Sequence, residues 1–522
     1  MTHSSNSTIT CIFHLPENSI KQIQIREGIW KPLKIGSSYT VQWVALGKKE
    51  SNHRWFKGTW IDSIKDTKPS SVLNRAFEQS QGSLILYIDN SENEVSLKYS
   101  CANIFLLAAE RYPNTGMFYA DYDLLSGDEK YPIRLLKHHS GRVRDNQDHG
   151  KIFLFRKEFI NQTCGFDETL KYHFLYDIRL KISERGTITH ISNKKKGSLY
   201  EIATTKEDAN VFDYLMEEKD SQIEAESVFT NHLKRTGAFL GPGKFINNRP
   251  LPLHNPTLKA SVIIPVNNRP EFIGTALDSC LNQSVQNIEM IVVVNGGNDD
   301  PTVEAVQRYQ KGGDKYVNGQ ADIRLEVIDI NNIGFCLNMG VSIAKGEFYV
   351  QLDSDDRLKQ NAIEKILEMF DSDPKIGIVI GSYNVWELEN DGTLVLKKEI
   401  PTVTHKEWTK ENGRNNLLRV GGAGAPRSIP IQLIKDIGYF GMNEEPYSRN
   451  YAEDYELVIR ISESYQVGRI FEPIYDVIRH SGGTDHSIDQ ETIDRNDEAK
   501  DWMRKIALDR RIKLNQSQNE FT

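Results

Sequence analysis

The chain alternates short apolar runs with segments whose apolar residues recur every three or four positions, most clearly in its second half. "SVIIPV" (261–266), "IEMIVVV" (288–294), "RLEVIDI" (324–330), "EFYVQLD" (347–353) and "IGIVIGSY" (376–383) are β-branched runs of strand length. Between them, Phe272, Ala276, Leu277 and Cys280, and later Ile363, Ile366, Leu367 and Phe370, keep helical spacing. Runs apolar on both faces belong to buried strands joined by crossover helices, so the pattern predicts an α/β domain with a mostly parallel sheet. Ligands of such sheets bind beyond the carboxyl ends of the strands, where the loops "NNRPE", "NGGNDD" and "DSDD" fall.

A length of 522 residues exceeds one compact core. The Gly- and Pro-rich stretch "TGAFLGPGKFINNRPLPLHNP" reads as a linker and divides the chain into domains at 1–235 and 259–485, with a linker at 236–258 and a helical tail at 486–522. With 39% hydrophobic and 26% charged residues the chain has globular composition, and it lacks an apolar run of membrane-spanning length or a secretory pattern at its start. Five scattered cysteines without a C-x-x-C spacing fit buried thiols in a reducing cytoplasm and fit zinc poorly. A formal charge of −8 argues against nucleic acid as a partner.

"YVQLDSDDRL" (349–358) crowds Asp353, Asp355 and Asp356 at a strand end. Such acids repel one another unless a cation lies among them. They cap a helix as a solvated turn, or they hold a hard divalent ion such as Mg2+ or Mn2+. Spacing alone leaves both open.

"SVIIPVNNRPEFIGTALDSCLNQ", "NIEMIVVVNGGNDDPT", "NNIGFCLNMGVSIAKGEFYVQLDSDD", "YAEDYEL" and "IYDVIRH" occur in this order. Together they resemble the family-2 glycosyltransferases of GT-A fold, a Rossmann-like α/β architecture, over about Ala260 to His480. The resemblance implies inverting transfer of a sugar from a nucleoside diphosphate to a hydroxyl of a glycan or lipid-linked acceptor. It implies Mn2+ or Mg2+ on Asp353, Asp355 and His480, with Asp353 also near the donor ribose. It makes Asp454 the general base and Glu453 the residue that binds or orients the acceptor. Helix-start acids and an ordinary histidine are the plain readings of the same residues. The donor would lie along the loop of Pro265 and Asn267 and against Asn295. That asparagine stands where the family usually has an aspartate accepting from the uracil ring; the resemblance keeps uridine as the first choice of base, and an amide that can also donate weakens it. "GGAGAPR" (421–427) lacks the Lys-Ser/Thr of a phosphate loop and reads as part of the acceptor side, with Arg427 a candidate for binding phosphate or sugar and plain loop structure as the other reading.

The chain also overlays on itself. "LNRAFEQSQGSLILYIDNSENEV" from Leu73 lies without a gap over "LNMGVSIAKGEFYVQLDSDDRL" from Leu337, and "YDIRLKISERG" (176–186) lies over "YELVIRISESY" (455–465). A glycine-aromatic turn precedes each of the latter, Gly165-Phe166 and Gly438-Tyr439. A duplicated GT-A-like domain follows. Ser91 then stands at Asp355, and Phe174-Leu175 stand at Glu453-Asp454, so the first copy would be non-catalytic and serve docking, acceptor binding or assembly. The tail helix, 492–514, carries five Lys/Arg between Arg504 and Lys513. It reads as packing on its own domain, with contact to the inner face of an anionic membrane as the second reading. Two rival functions stay open: a sugar-phosphate nucleotidyltransferase, which would want a Gly-rich basic loop after its first strand, and a non-catalytic nucleotide- or glycan-binding scaffold.

Overall fold

The computed structural model describes residues 7–16, 19–33, 35, 39–48, 56–63, 68–192, 197–203, 219–389, 391–404, 409–422, 424–442, 451–480 and 490–519. The chain divides into two units, Met1–Val211 with Glu224–Thr236, and Phe212–Ile223 with Gly237–Thr522.

The first unit runs β1 (Ser7–His14), α1 (Ser19–Ile25), β2 (Tyr39–Leu46), β3 (Thr59–Ile61), α2 (Pro69–Gln79), β4 (Leu84–Ile88), β5 (Glu94–Leu97), α3 (Cys101–Arg111), β6 (Thr115–Ala120), β7 (Tyr122–Ser126), β8 (Glu129–Ile133), β9 (Ile152–Arg156), α4 (Lys157–Gln162), α5 (Phe174–Ser183), β10 (Thr187–Ile191) and β11 (Tyr200–Ala203); α6 (Lys219–Thr236) follows. Its main sheet has the order β3-β2-β1-β4-β9-β6-β10. All neighbours are parallel except β9, which runs against β4 and β6.

The second unit runs β12 (Leu258–Val266), α7 (Ile273–Leu281), β13 (Ile288–Val294), α8 (Thr302–Gln307), β14 (Asp322–Val327), α9 (Ile333–Ile343), β15 (Gly346–Gln351), β16 (Arg357–Leu358), α10 (Ala362–Ser372), β17 (Ile376–Leu388), β18 (Leu394–Leu396), α11 (Gly413–Asn416), β19 (Arg427–Pro430), α12 (Ile431–Asp436), α13 (Glu453–Ser464), β20 (Gln466–Arg479) and α14 (Gln490–Asn519). The sheet order is β14-β13-β12-β15-β19-β17-β20-β16, with β18 on β17. Every residue of β13 is buried, as a strand apolar on both faces requires, and Ile363, Ile366 and Phe370 form the inward stripe of α10. The α/β fold class read from the sequence is the one present.

The first seven strands of this order repeat the first unit's sheet one for one, and β19 is antiparallel to both neighbours, as β9 is. Side-chain detail repeats as well. The Gly82 amide donates to Thr10 Oγ1 at 3.0 Å, and Thr10 donates to Gln42 Oε1 at 2.8 Å. The Gly346 amide likewise donates to Ser261 Oγ at 3.0 Å, and Ser261 donates to Glu289 Oε1 at 2.7 Å. A Cβ on either glycine would lie 2.5–2.7 Å from backbone atoms of the adjacent central strand, so only glycine fits both places. Asn74 exchanges two bonds with the backbone of Phe166, as Asn338 does with Phe440.

The last pair corrects the turn alignment: Phe166 corresponds to Phe440, one residue beyond the expected partner. Two consecutive left-handed residues make each turn, Cys164 and Gly165 in one and Gly438 and Tyr439 in the other, so the glycine takes the second place in one and the first in the other.

The Gly/Pro segment lies against the second unit, with Ala238 and Leu240 fully buried and Leu240 exchanging bonds with the Asn415 side chain. In α14, Arg504 and Arg511 are also fully buried; Arg504 binds Asp501 and the carbonyls of Leu418 and Val420. Two of the five tail cations therefore face inward, which leaves a weaker basic face than the sequence suggested. Among the described residues no helix is long and apolar enough to cross a membrane.

Candidate active site

Strand β15 delivers Asp353 to the carboxyl edge of the sheet. Its amide donates to the Tyr475 hydroxyl at 3.1 Å, and its Oδ1 accepts from Gln351 Nε2 at 3.3 Å. The short β16 then pairs with β20, Arg357 opposite Asp476. That pairing carries the end of β20 past the acids, so His480 Nε2 lies 3.0 Å from Asp355 Oδ2. Phe272 stacks on the His480 ring at a centroid distance of 4.1 Å and fixes its plane. Asp356 is 6% exposed and accepts the Ile478 amide at 2.9 Å. Burial, then Asp353 and Asp355, push its carboxyl well above the usual range. Burial also raises Asp353; Asp355 adds to this and Arg427 opposes it.

The opposing charge comes from the neighbouring strand. Arg427 opens β19, and its Nη1 lies 3.0 Å from Asp454 Oδ2, with side chains 12% and 22% exposed. Its Nε donates to Gln351 Oε1 at 3.2 Å, and it also bonds the Gly424 carbonyl. Burial works against the Arg427 charge, but Asp454 and then Asp353 outweigh it and hold the guanidinium firmly protonated. Ala452, left-handed at φ 64°, turns the chain into α13, which begins at Glu453. The second oxygen of Asp454 accepts the Tyr455 amide at 2.6 Å. Burial, then Asp454, push Glu453 up to about 8. The two adjacent acids are thus separated electrically: Asp454 shares a cation and Glu453 keeps its proton at neutral pH.

Strands β12 and β13 carry the remaining predicted residues. Pro265 sits within β12 opposite Val293, and Asn267 follows the strand, half-buried. Asp300 ties the two loops together by accepting the amides of Asn268 and Thr302, each at 2.8 Å. Asn295 is 4% exposed. Its Nδ2 faces Asn331 Oδ1 at 3.4 Å and Cys336 Sγ at 3.2 Å, while its buried Oδ1 has no hydrogen-bond partner. A buried acceptor left open at a strand end costs stability until a donor fills it.

The structure brings Asp353, Asp355, His480, Arg427, Asp454 and Glu453 into one charged cluster. It places Pro265, Asn267 and Asn295 on the adjoining strand ends. Among the described residues no three acid or imidazole side chains stand in metal-holding geometry; Asp355 and His480 form a pair. Tyr475 and Gln351, which orient these groups, carried no sequence signal of their own, and Phe272 was legible only as an apolar position of helical spacing.

Residues 261–422 match the sequence model of glycosyl transferase family 2. The second unit carries a family-2 glycosyltransferase domain. It is 32% identical over 135 residues to glycosyltransferase GlyG of Streptococcus pneumoniae, covering 25% of this chain and 41% of that protein. It is 30% identical over 212 residues to the uncharacterized glycosyltransferase RT0329 of Rickettsia typhi, covering 39% and 60%. It is 29% identical over 226 residues to chondroitin synthase of Pasteurella multocida, covering 43% of this chain and 21% of that one. The chain therefore spans less than two thirds of each of these relatives. The matched segment of the family-2 domain includes Asp353, Asp355 and Asn295; Asp454 and His480 lie beyond it.

Proposed function

We propose that the second unit transfers a hexosyl or N-acetylhexosaminyl group, with inversion, from a nucleoside-diphosphate sugar to a hydroxyl of a glycan or lipid-linked acceptor. The observation that carries the reading is the division of labour within one cluster: acids with an imidazole on one side, an ion-paired carboxylate on the other. Asp353, Asp355 and His480 form a donor set of oxygen and imidazole ligands that suits Mn2+ or Mg2+. When bound there, the ion would neutralise charge on the departing diphosphate. Asp454, ion-paired with Arg427, accepts the proton of the attacking hydroxyl. Glu453, protonated at neutral pH, donates a hydrogen bond to the acceptor. The open Oδ1 of Asn295 suits the ring N–H of uracil, with Pro265 and Asn267 beside the nucleoside, which favours a UDP-linked donor.

The first unit, residues 1–235, is on this reading a second GT-A-like copy without catalysis, and the linker and tail belong with the catalytic domain spanning 259–485. The shared strand order and the two repeated hydrogen-bond networks support it. Transfer measured with a panel of UDP-, GDP- and dTDP-sugars, with Mn2+ and with EDTA, tests the proposal. Turnover of a UDP-sugar that requires Mn2+ is expected. Turnover unaffected by EDTA, or binding without transfer for every donor, would reject it.

A further inference from the structure

The first unit keeps a cavity of about 910 Å3 at the carboxyl ends of β1, β2 and β4. Its walls include His14 to Pro16 after β1 and Asn90 to Asn93 after β4. Strand order reverses between β1 and β4, and such switch points are where open α/β sheets take ligands. The size suits a small molecule.

Three changes remove the means of holding a nucleoside diphosphate. Asp89, at the place of Asp353, has both oxygens engaged: Ser91 Oγ donates to one at 2.6 Å and Lys151 Nζ approaches the other at 3.2 Å. A cation of the protein's own stands where a metal would be needed. Next, His14 pairs with Leu46 as Pro265 pairs with Val293, which puts Lys48 at the place of Asn295. An ammonium cannot accept a base N–H. Finally, the cavity wall carries Lys21 and Lys48 against Asp62, Glu92 and Glu94, an excess of negative charge that repels a diphosphate. What the wall retains is a set of amides, carboxylates and ammoniums, among them Gln24 and Asn93, that pair well with hydroxyl groups.

We infer that this cavity binds a neutral saccharide, without metal and without turnover. The inference leans on the proposed function only in that a glycan is the natural ligand of a sugar-transferring chain. The test uses the full chain in EDTA, titrated calorimetrically with chitotetraose, cellotetraose, maltotetraose and UDP. At least one tetrasaccharide should bind with a dissociation constant below about 1 mM. Gln24→Ala with Asn93→Ala should weaken it about 10-fold or more, with the melting temperature unchanged. UDP should not bind in EDTA. Absence of binding by all three tetrasaccharides, binding indifferent to the double variant, or metal-free UDP binding lost in Lys48→Glu would each overturn the inference. Mn2+-dependent UDP binding lost in Asp355→Asn reports on the second unit separately, so the two readings fail independently.

Discussion

Replacing Arg427 with Met should damage the protein through Asp454. The pair is 3.0 Å apart and mostly buried, and the second oxygen of Asp454 is already committed to the Tyr455 amide. Without the guanidinium, Asp454 either stays charged and uncompensated, costing about 3–5 kcal/mol, or takes a proton and ceases to be a base. That cost is a large share of a typical folding free energy of about 5–15 kcal/mol. Urea unfolding of Arg427→Met should therefore show a loss of about 3 kcal/mol or more, and sugar transfer at neutral pH should fall about 100-fold. Arg427→Lys should recover only part of this, because a point charge loses the contacts with Gln351 and the Gly424 carbonyl. The decisive measurement is the double variant Arg427→Met/Asp454→Asn. If the loss comes from an orphaned carboxylate, the double variant will be more stable than Arg427→Met alone by about 1 kcal/mol or more. Strictly additive losses would refute the reasoning.

Asp355→Asn should lower turnover on the order of 100-fold and abolish its response to Mn2+, read by a donor-release assay. Asp454→Asn should leave UDP affinity within about two-fold while transfer falls about 100-fold; parallel loss of both would make the residue structural. Asp89→Asn should leave turnover within about two-fold of wild type, since that carboxylate is engaged by Ser91 and Lys151. Glu453, raised from 4.5 to about 8, binds its proton more tightly when folded, so its contribution to stability is full below pH 4.5 and is lost as pH rises through about 8. Denaturation midpoints measured from pH 5 to 9 should fall across that window in wild type and fall less in Glu453→Gln.

The central strands β12, β13 and β15 were legible because burial on both faces leaves a nearly uninterrupted apolar run; "IEMIVVV" matches β13 residue for residue, whereas β16, β18 and β20 were not picked out. β19 was not, because "RSIP" is short and ends in proline, and its pairing depends on β15 and β17 lying on either side. The same short strand explains why the pairing of Arg427 with Asp454 was not legible. Nothing local to "GGAGAPR" points toward Asp454; the two meet only through the sheet. Asn295 was legible as a position and not as a chemistry, since its open Oδ1 follows from where Asn331 and Cys336 orient its amide.

The fate of the clustered acids in the two units follows from the cost of burying charge. In the second unit Asp353, Asp355 and Asp356 remain together, and burial beside one another raises the proton affinity of Asp353 and Asp356, an arrangement that destabilises the fold unless a cation is to arrive. In the first unit the same strand end has lost that tension: Ser91 replaces one acid with a donor, Lys151 supplies a cation from the next strand, and the Asp89 carboxyl falls below its ordinary value despite burial, through Lys151 and the Ser91 bond. A carboxylate satisfied from within has no affinity to spare for a metal. On the proposed function, the unit whose acids are still frustrated is the one suited to a cation and a diphosphate, and the unit whose acid is at rest is the one suited to the uncharged ligand inferred for it.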